Sequence, residues 1–152
     1  MLAMLVSLCG ATLDGGSARA ATLGEAAVRD LYERAVRDHN AGVRATQEDF
    51  LAAFTPATQE AWRAARLGPG PAIAGPVVNA FFGPVLPGVH VALVDVTTLD
   101  QGPGYSLVRV NLRIRGAPTY VDVSAKLVGG RFWRIDDIRY ANGATFLGLQ
   151  RR

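Results

Sequence analysis

A chain of 152 residues with 49% hydrophobic residues, 19% charged residues and a net charge of +3 has the material for one domain with a real core. Fifteen of its sixteen basic residues are arginines, spread along the chain and interleaved with acids, so the clustered stripe that phosphate backbones require is missing and nucleic acid is not expected as a partner. A single cysteine, Cys9, excludes an intrachain disulfide.

The first twenty residues read as a secretory signal peptide. An apolar run from Met1 to Leu13 stops at Asp14-Gly15-Gly16, and Ala18-Arg19-Ala20 supplies small residues at the two positions that a cut after Ala20 needs. The run is shorter than the ~20 apolar residues of a bilayer span, so no transmembrane span is expected in the mature form. No Lys or Arg precedes the run, as an internal methionine start would leave it. Lipid anchoring through Cys9 is disfavoured by Leu8, where a small residue is wanted. Cleavage removes Cys9 and predicts a cysteine-free domain over residues 21–152, periplasmic or secreted, without thiolate metal sites or a cysteine nucleophile.

Helices come first. Thr22 and Glu25 fit a capping box, and Ala27, Val28, Leu31, Tyr32, Ala35 and Val36 recur at helical spacing before Gly42. Thr46 opens a second, short helix with Glu48 and Asp49 in its first turn and Phe50, Leu51 and Phe54 as its apolar face. Thr55-Pro56 starts a third, buried along Ala61, Trp62 and Ala65 and ended by Gly68-Pro69-Gly70-Pro71. Residues 68–88 form a long Gly/Pro-rich connection pinned by Val77, Val78, Phe81 and Phe82.

The remainder is strand-like. Residues 89–98 are dense in β-branched side chains, with His90 continuing an apolar face of Ala92, Val94 and Val96. After a turn at 100–104, Val108, Val110, Leu112 and Ile114 alternate with Arg109, Asn111, Arg113 and Arg115. Beyond Gly116-Ala117-Pro118, Val121, Val123, Ala125 and Leu127 oppose Tyr120, Asp122, Ser124 and Lys126. A two-residue turn at Gly129-Gly130 would place Trp133 opposite Lys126 on the wet face. A three-residue loop pairing Ala125 with Trp133 and Val123 with Ile135 keeps both in the core, with a glycine at positive φ. A bulge near Asp136-Asp137 then returns Ile138 to the core. The expected fold is α+β: N-terminal helices packed on a curved antiparallel sheet of about four strands.

This order, ending in Trp133-Arg134-Ile135-Asp136-Asp137-Ile138-Arg139-Tyr140 and with Pro76 and Asn79-Ala80 before the first long strand, resembles the nuclear transport factor 2-like (cystatin-like) cone. More narrowly it resembles a family of small exported bacterial proteins of unknown function built on that cone. The family pattern has an acid before the proline and Gln-Asp after Asn-Ala; here those positions are Gly75 and Phe81-Phe82. Such cones include isomerases, dehydratases, ligand carriers and partner-binding modules, so fold alone does not decide function.

Two readings follow. The first is a non-catalytic module binding a small apolar ligand or a protein partner, with His90, Asn79, Tyr105, Tyr120, Asp136 and Phe82 as candidate contacts and no cofactor. The second is an enzyme of the isomerase or dehydratase type, with His90 or Asp136 as general base and a tyrosine as hydrogen-bond donor. Against each stands a structural role: His90 bonded to a carbonyl, Asp136 or Asp137 bonded to bulge amides, aromatic residues in the core, and His39 at a helix C-terminus. A homodimer through the outer sheet face is opposed by its arginines, since interface cores are depleted of charge. No pair of histidines at metal-ligand spacing, phosphate-binding glycine loop or nucleophile elbow is present.

Overall fold

The computed structural model describes residues 22–43, 45–67, 79–83 and 85–149; the expected signal segment with Cys9, and residues 68–78 with Gly75, Pro76, Val77 and Val78, lie outside them. Three helices, α1 (Leu23–Asn40), α2 (Gln47–Ala52) and α3 (Pro56–Leu67), precede four strands, β1 (Val91–Gly102), β2 (Tyr105–Ile114), β3 (Ala117–Val128) and β4 (Phe132–Tyr140), and a final turn of helix, α4 (Phe146–Leu149). The strands form one curved, unclosed antiparallel sheet in the order β1-β2-β3-β4. The fold is therefore α+β with a cone-like sheet, as the residue pattern predicts. Among the described residues no helix is long and apolar enough to cross a membrane.

The helix starts are set by side-chain caps. Thr22 accepts from the Glu25 N–H at 3.1 Å, Thr46 from the Asp49 N–H at 3.1 Å, and Thr55 from the Thr58 N–H at 3.4 Å. The Glu25 carboxylate does not close the expected capping box. It accepts from the Thr98 N–H at 3.0 Å and the Thr98 hydroxyl at 2.8 Å, joining the helix to the edge of β1. Along α3, Trp62 and Thr58 are buried while Ala65 is exposed, so that buried stripe is narrower than its alanines suggest.

Both sheet edges are capped. On β1, Arg29 donates to the Val96 carbonyl at 2.9 Å, and Asn40 takes both backbone groups of Val91, donating at 2.7 Å and accepting at 3.0 Å. On β4, residues 53–55 add a short parallel pairing: the Ile135 N–H donates to the Ala53 carbonyl at 2.9 Å, and the Thr55 N–H donates to the Ile135 carbonyl at 2.8 Å. The Thr58 hydroxyl reaches the Asp136 carbonyl at 2.6 Å. Each group satisfied here would otherwise be a free donor or acceptor on a sheet edge.

Register decides which side chains enter the core. β2 and β3 pair without interruption, and Val108, Val110, Leu112, Val121, Val123 and Ala125 are buried as the alternation requires. The β3–β4 loop has three residues, 129–131, and both Gly129 (φ 60°) and Gly130 (φ 67°) are left-handed. Its register differs from the expected one by two: Ala125 pairs with Ile135 and Leu127 with Trp133. The phase is unchanged, so Ile135 stays buried, and Trp133 is half-buried over Gly24. A bulge at Asp136 restores Ile138, which is fully buried.

β1 departs from its expected phase. A bulge at Val94 and another at Leu99 leave Val91, Leu93, Val96 and Thr98 facing inward, while Val94 and Leu99 are exposed. A density of β-branched residues marks a strand but not its face, and one inserted residue reverses the alternation.

The N-terminus of α1 lies directly on β2. A Cβ at Gly24 would stand 2.6 Å from the Ser106 Cβ, and the Ser106 hydroxyl is the buried side-chain polar atom left without a partner among the described residues. Overpacking outweighs the helical gain of alanine there, so Gly24→Ala should destabilise the fold by about 1–2 kcal/mol. Ser106→Ala, which removes an unsatisfied hydroxyl, should stabilise it by about 1 kcal/mol. Urea unfolding of both variants tests the pair; a neutral Gly24→Ala would show that the helix shifts freely over β2.

Candidate functional site

The interior of the cone holds aromatic rings. Phe54 stacks on Phe146 with centroids 4.9 Å apart and on Phe81 at 6.1 Å, Phe50 sits 5.0 Å from Phe54, and Tyr32 meets Phe81 and Phe82 edge-on at 5.9 and 6.2 Å. Tyr32, Phe54, Phe82 and Phe146 are buried, and Phe81 is half-buried. The two buried phenols reach backbone carbonyls of the loop before β1: Tyr32 donates to Phe81 at 3.1 Å and Tyr140 to Ala80 at 2.8 Å. A buried phenol needs such an acceptor, and these two bonds hold residues 79–83 down onto the core.

The candidate residues do not converge. Phe82 is a core ring, with its edge toward Tyr32 and His39. Asn79 turns its own loop, its side-chain oxygen accepting from the Phe81 N–H at 3.0 Å. His90 is exposed rather than in line with an inward apolar face, because the Val94 bulge sets that face on Val91, Leu93 and Val96. Its carbonyl accepts from the Arg115 N–H at 3.2 Å. Tyr105 and Tyr120 lie half-buried on the outer face, opposite Lys126 and Asn111 respectively, and rim no common pocket.

Asp136 occupies the β4 bulge. One carboxylate oxygen accepts from the Thr55 hydroxyl at 3.2 Å and the other pairs with Lys126 at 2.8 Å. Asp137 accepts from the N–H groups of Ile138 at 2.9 Å and Leu147 at 3.1 Å, fixing the bulge and the start of α4. The two carboxylates are thus engaged in separate structural roles. His39, at the end of α1, lies 2.8 Å from the Val89 carbonyl, which requires a proton on Nε2, and so it ties the approach to β1 onto the helix. Among the described residues no group of three or more His, Cys, Asp or Glu is placed to hold a metal ion.

The described residues border two surface depressions of note. One of about 530 Å³ between α2 and α3 is bordered by Gln47, Glu48, Leu51, Ala52, Gln59 and Arg63. The other, about 340 Å³, is lined by Val85, Leu86, Val89, Ile114 and Arg115. Neither of these is lined by His90 or Asp136.

The outer face of the sheet carries the more distinctive chemistry. Arg109 makes a two-point bond with Asp122 at 2.8 and 3.0 Å and lies 4.2 Å over the Tyr120 ring. At the start of β4, Phe132 is 54% exposed, with the guanidinium groups of Arg131 and Arg134 at 5.6 and 5.3 Å from its ring centroid. Neither of those arginines has a carboxylate partner among the described residues. The alternation predicts cations here, but the exposure of Phe132 follows from the loop length, which puts Trp133 inward and its neighbour out. No family model, curated protein or solved structure matches the chain.

Burial raises the phenol of Tyr32 well above its ordinary value, and burial followed by the Asp137 carboxylate raises that of Tyr140. The folded state then holds protons that the unfolded chain releases near pH ~10. This stabilisation is complete below pH ~10 and is lost as pH rises toward the folded values, at about 1.4 kcal/mol per pH unit for each tyrosine. Urea unfolding at rising pH should show this slope, and Tyr140→Phe should roughly halve it. An unchanged slope in Tyr140→Phe would place the alkaline sensitivity elsewhere. By contrast, His90→Ala should leave stability within about 0.5 kcal/mol of wild type.

Proposed function

We propose that this chain is an exported, non-catalytic module of the nuclear transport factor 2-like type that binds a protein partner through the outer face of its sheet. The observation that carries this reading is Phe132, an aromatic ring 54% exposed and flanked by two guanidinium groups that have no carboxylate partner among the described residues. Aromatic residues and arginines are enriched among the residues that dominate interface energetics, and this compact patch lies at one end of the sheet, apart from the β2 arginines that oppose a broad dimer over the outer face. Lys126 and Tyr105, cross-strand neighbours on the same face, extend the patch. Support of a second kind comes from the interior, where the cone's own rings fill the space that a ligand carrier of this type would leave open. The helices-then-sheet order supports the family reading, and the apolar run with Ala18-Arg19-Ala20 supports export.

A photo-crosslinking residue placed at position 132 of the full chain in its native host should give a discrete protein adduct that the same residue at exposed Thr97 does not. Arg131→Glu with Arg134→Glu should reduce that adduct about tenfold or more, with the fold intact. Equal labelling from both positions would overturn the proposal. The exported product should begin at Ala21 by intact mass; a product retaining residues 1–20 would contradict export by cleavage.

A further inference from the structure

We propose that the depression lined by Val85, Leu86, Val89, Ile114 and Arg115 binds a small aliphatic carboxylate, with Arg115 as its anion anchor. The site is independent of the Phe132 patch: Ile114 and Arg115 lie at one end of the β2–β3 hairpin, whereas Phe132 pairs with Val128 at the far end of β3. It is an open surface depression of about 340 Å³, so a bound ligand would remain partly exposed. Four apolar side chains and one cation are the composition such sites use, with apolar walls for the body of the ligand and one polar group to orient it.

The strongest indication is the backbone of Arg115. It joins β2 to β3 in a two-residue turn with Gly116, and both residues have positive φ, 53° and 79°. This turn geometry favours Asn-Gly, because asparagine tolerates the left-handed region and a long side chain gains nothing from it. Arginine at this position costs stability, and no carboxylate among the described residues repays it with an ion pair. What the position does provide is a cation at the border of an apolar depression. Strained backbone at a non-glycine residue is found disproportionately at ligand-binding positions, and here it borders the depression.

The opposite wall is held in place. Val85 donates to the Gly83 carbonyl at 2.8 Å and Val89 to the Leu86 carbonyl at 3.2 Å, while His39 ties the Val89 carbonyl to α1. Gly83, with φ 83°, lies against the ring of Tyr140, where an added Cβ would stand 3.3 Å from the ring. Val85 is buried and forms the floor; Leu86, 50% exposed, forms the lip. A ligand would meet a formed surface and pay little to order it.

Methyl and amide NMR titration of the full domain with octanoate, and with octanol as the neutral control, tests the site. Octanoate should give saturable shifts at Val85, Leu86, Val89 and Ile114, and octanol should bind about fivefold more weakly or worse. Arg115→Asn should raise the melting temperature by about 3 °C and abolish the preference for octanoate. Leu86→Asp should abolish octanoate binding in a folded protein. Equal affinity for octanoate and octanol in the wild type, shifts located elsewhere, or unchanged octanoate affinity in Arg115→Asn would each overturn the proposal. None of these outcomes bears on crosslinking at Phe132, so the two readings stand or fall separately.

Discussion

A four-stranded open sheet has two edges, and the arrangement of the whole domain follows from how those edges are closed. The β1 edge is closed by side chains of one helix. Glu25, Arg29 and Asn40 of α1 address Thr98, Val96 and Val91 in turn. The spacing is set by the geometry of the two elements. Glu25 to Asn40 spans about 22 Å of helix and Thr98 to Val91 about 23 Å of strand, so polar groups on one face of α1 keep step with the outward backbone groups of β1. Because the match holds at both ends, α1 lies antiparallel along the edge while Val28 and Tyr32 enter the core. The β4 edge is closed differently, by a backbone segment between α2 and α3 that behaves as a fragment of a fifth strand.

Much of this architecture was legible in the residues. Helix caps at Thr22, Thr46 and Thr55, the alternation of β2 and β3, a three-residue loop between β3 and β4 and a bulge near Asp136 all follow from local chemistry and from keeping large side chains buried. What failed was long-range. Glu25 satisfies the spacing of a capping box, and nothing local reveals that Thr98 competes for its carboxylate. The phase of β1 was misread because Val91, Val94 and Val96 suit either face, and only pairing with β2 shows that Val94 is an extra residue. The expected phase puts His90 in line with the inward face, and the bulge at Val94 places it outside instead. The register of the β3–β4 hairpin was displaced by two residues for a related reason: a shift of two preserves every inward and outward assignment, so burial cannot detect it.

The candidate site fared less well than the fold, and the reason is physical. Aromatic residues and carboxylates of the kind that serve a ligand also serve a core without an intrachain disulfide and a bulged edge strand. Here Phe82 packs, Asn79 turns its loop and Asp136 bonds Thr55 and Lys126. Chemistry not absorbed by structure is found where the sequence gives little warning: at Phe132, exposed by the phase of its neighbour, and at Arg115, distinguished by a backbone angle. Both are visible only once register is known.

The closure of the edges also bears on the order in which the domain can form. The three hairpin contacts of the sheet join neighbours in sequence, but the helical bonds to β1 span 51 to 76 residues, and those from the α2–α3 segment to β4 span about 80. Loop-closure entropy favours the local hairpins first. Helices α2 and α3, of 6 and 12 residues, are marginal alone, and all three N-terminal helices gain stability when a sheet exists to receive them. On these grounds the first half of the chain waits for the second: α1 finds the surface it covers only once β1 to β3 have been made, and the α2–α3 segment only once β4 has.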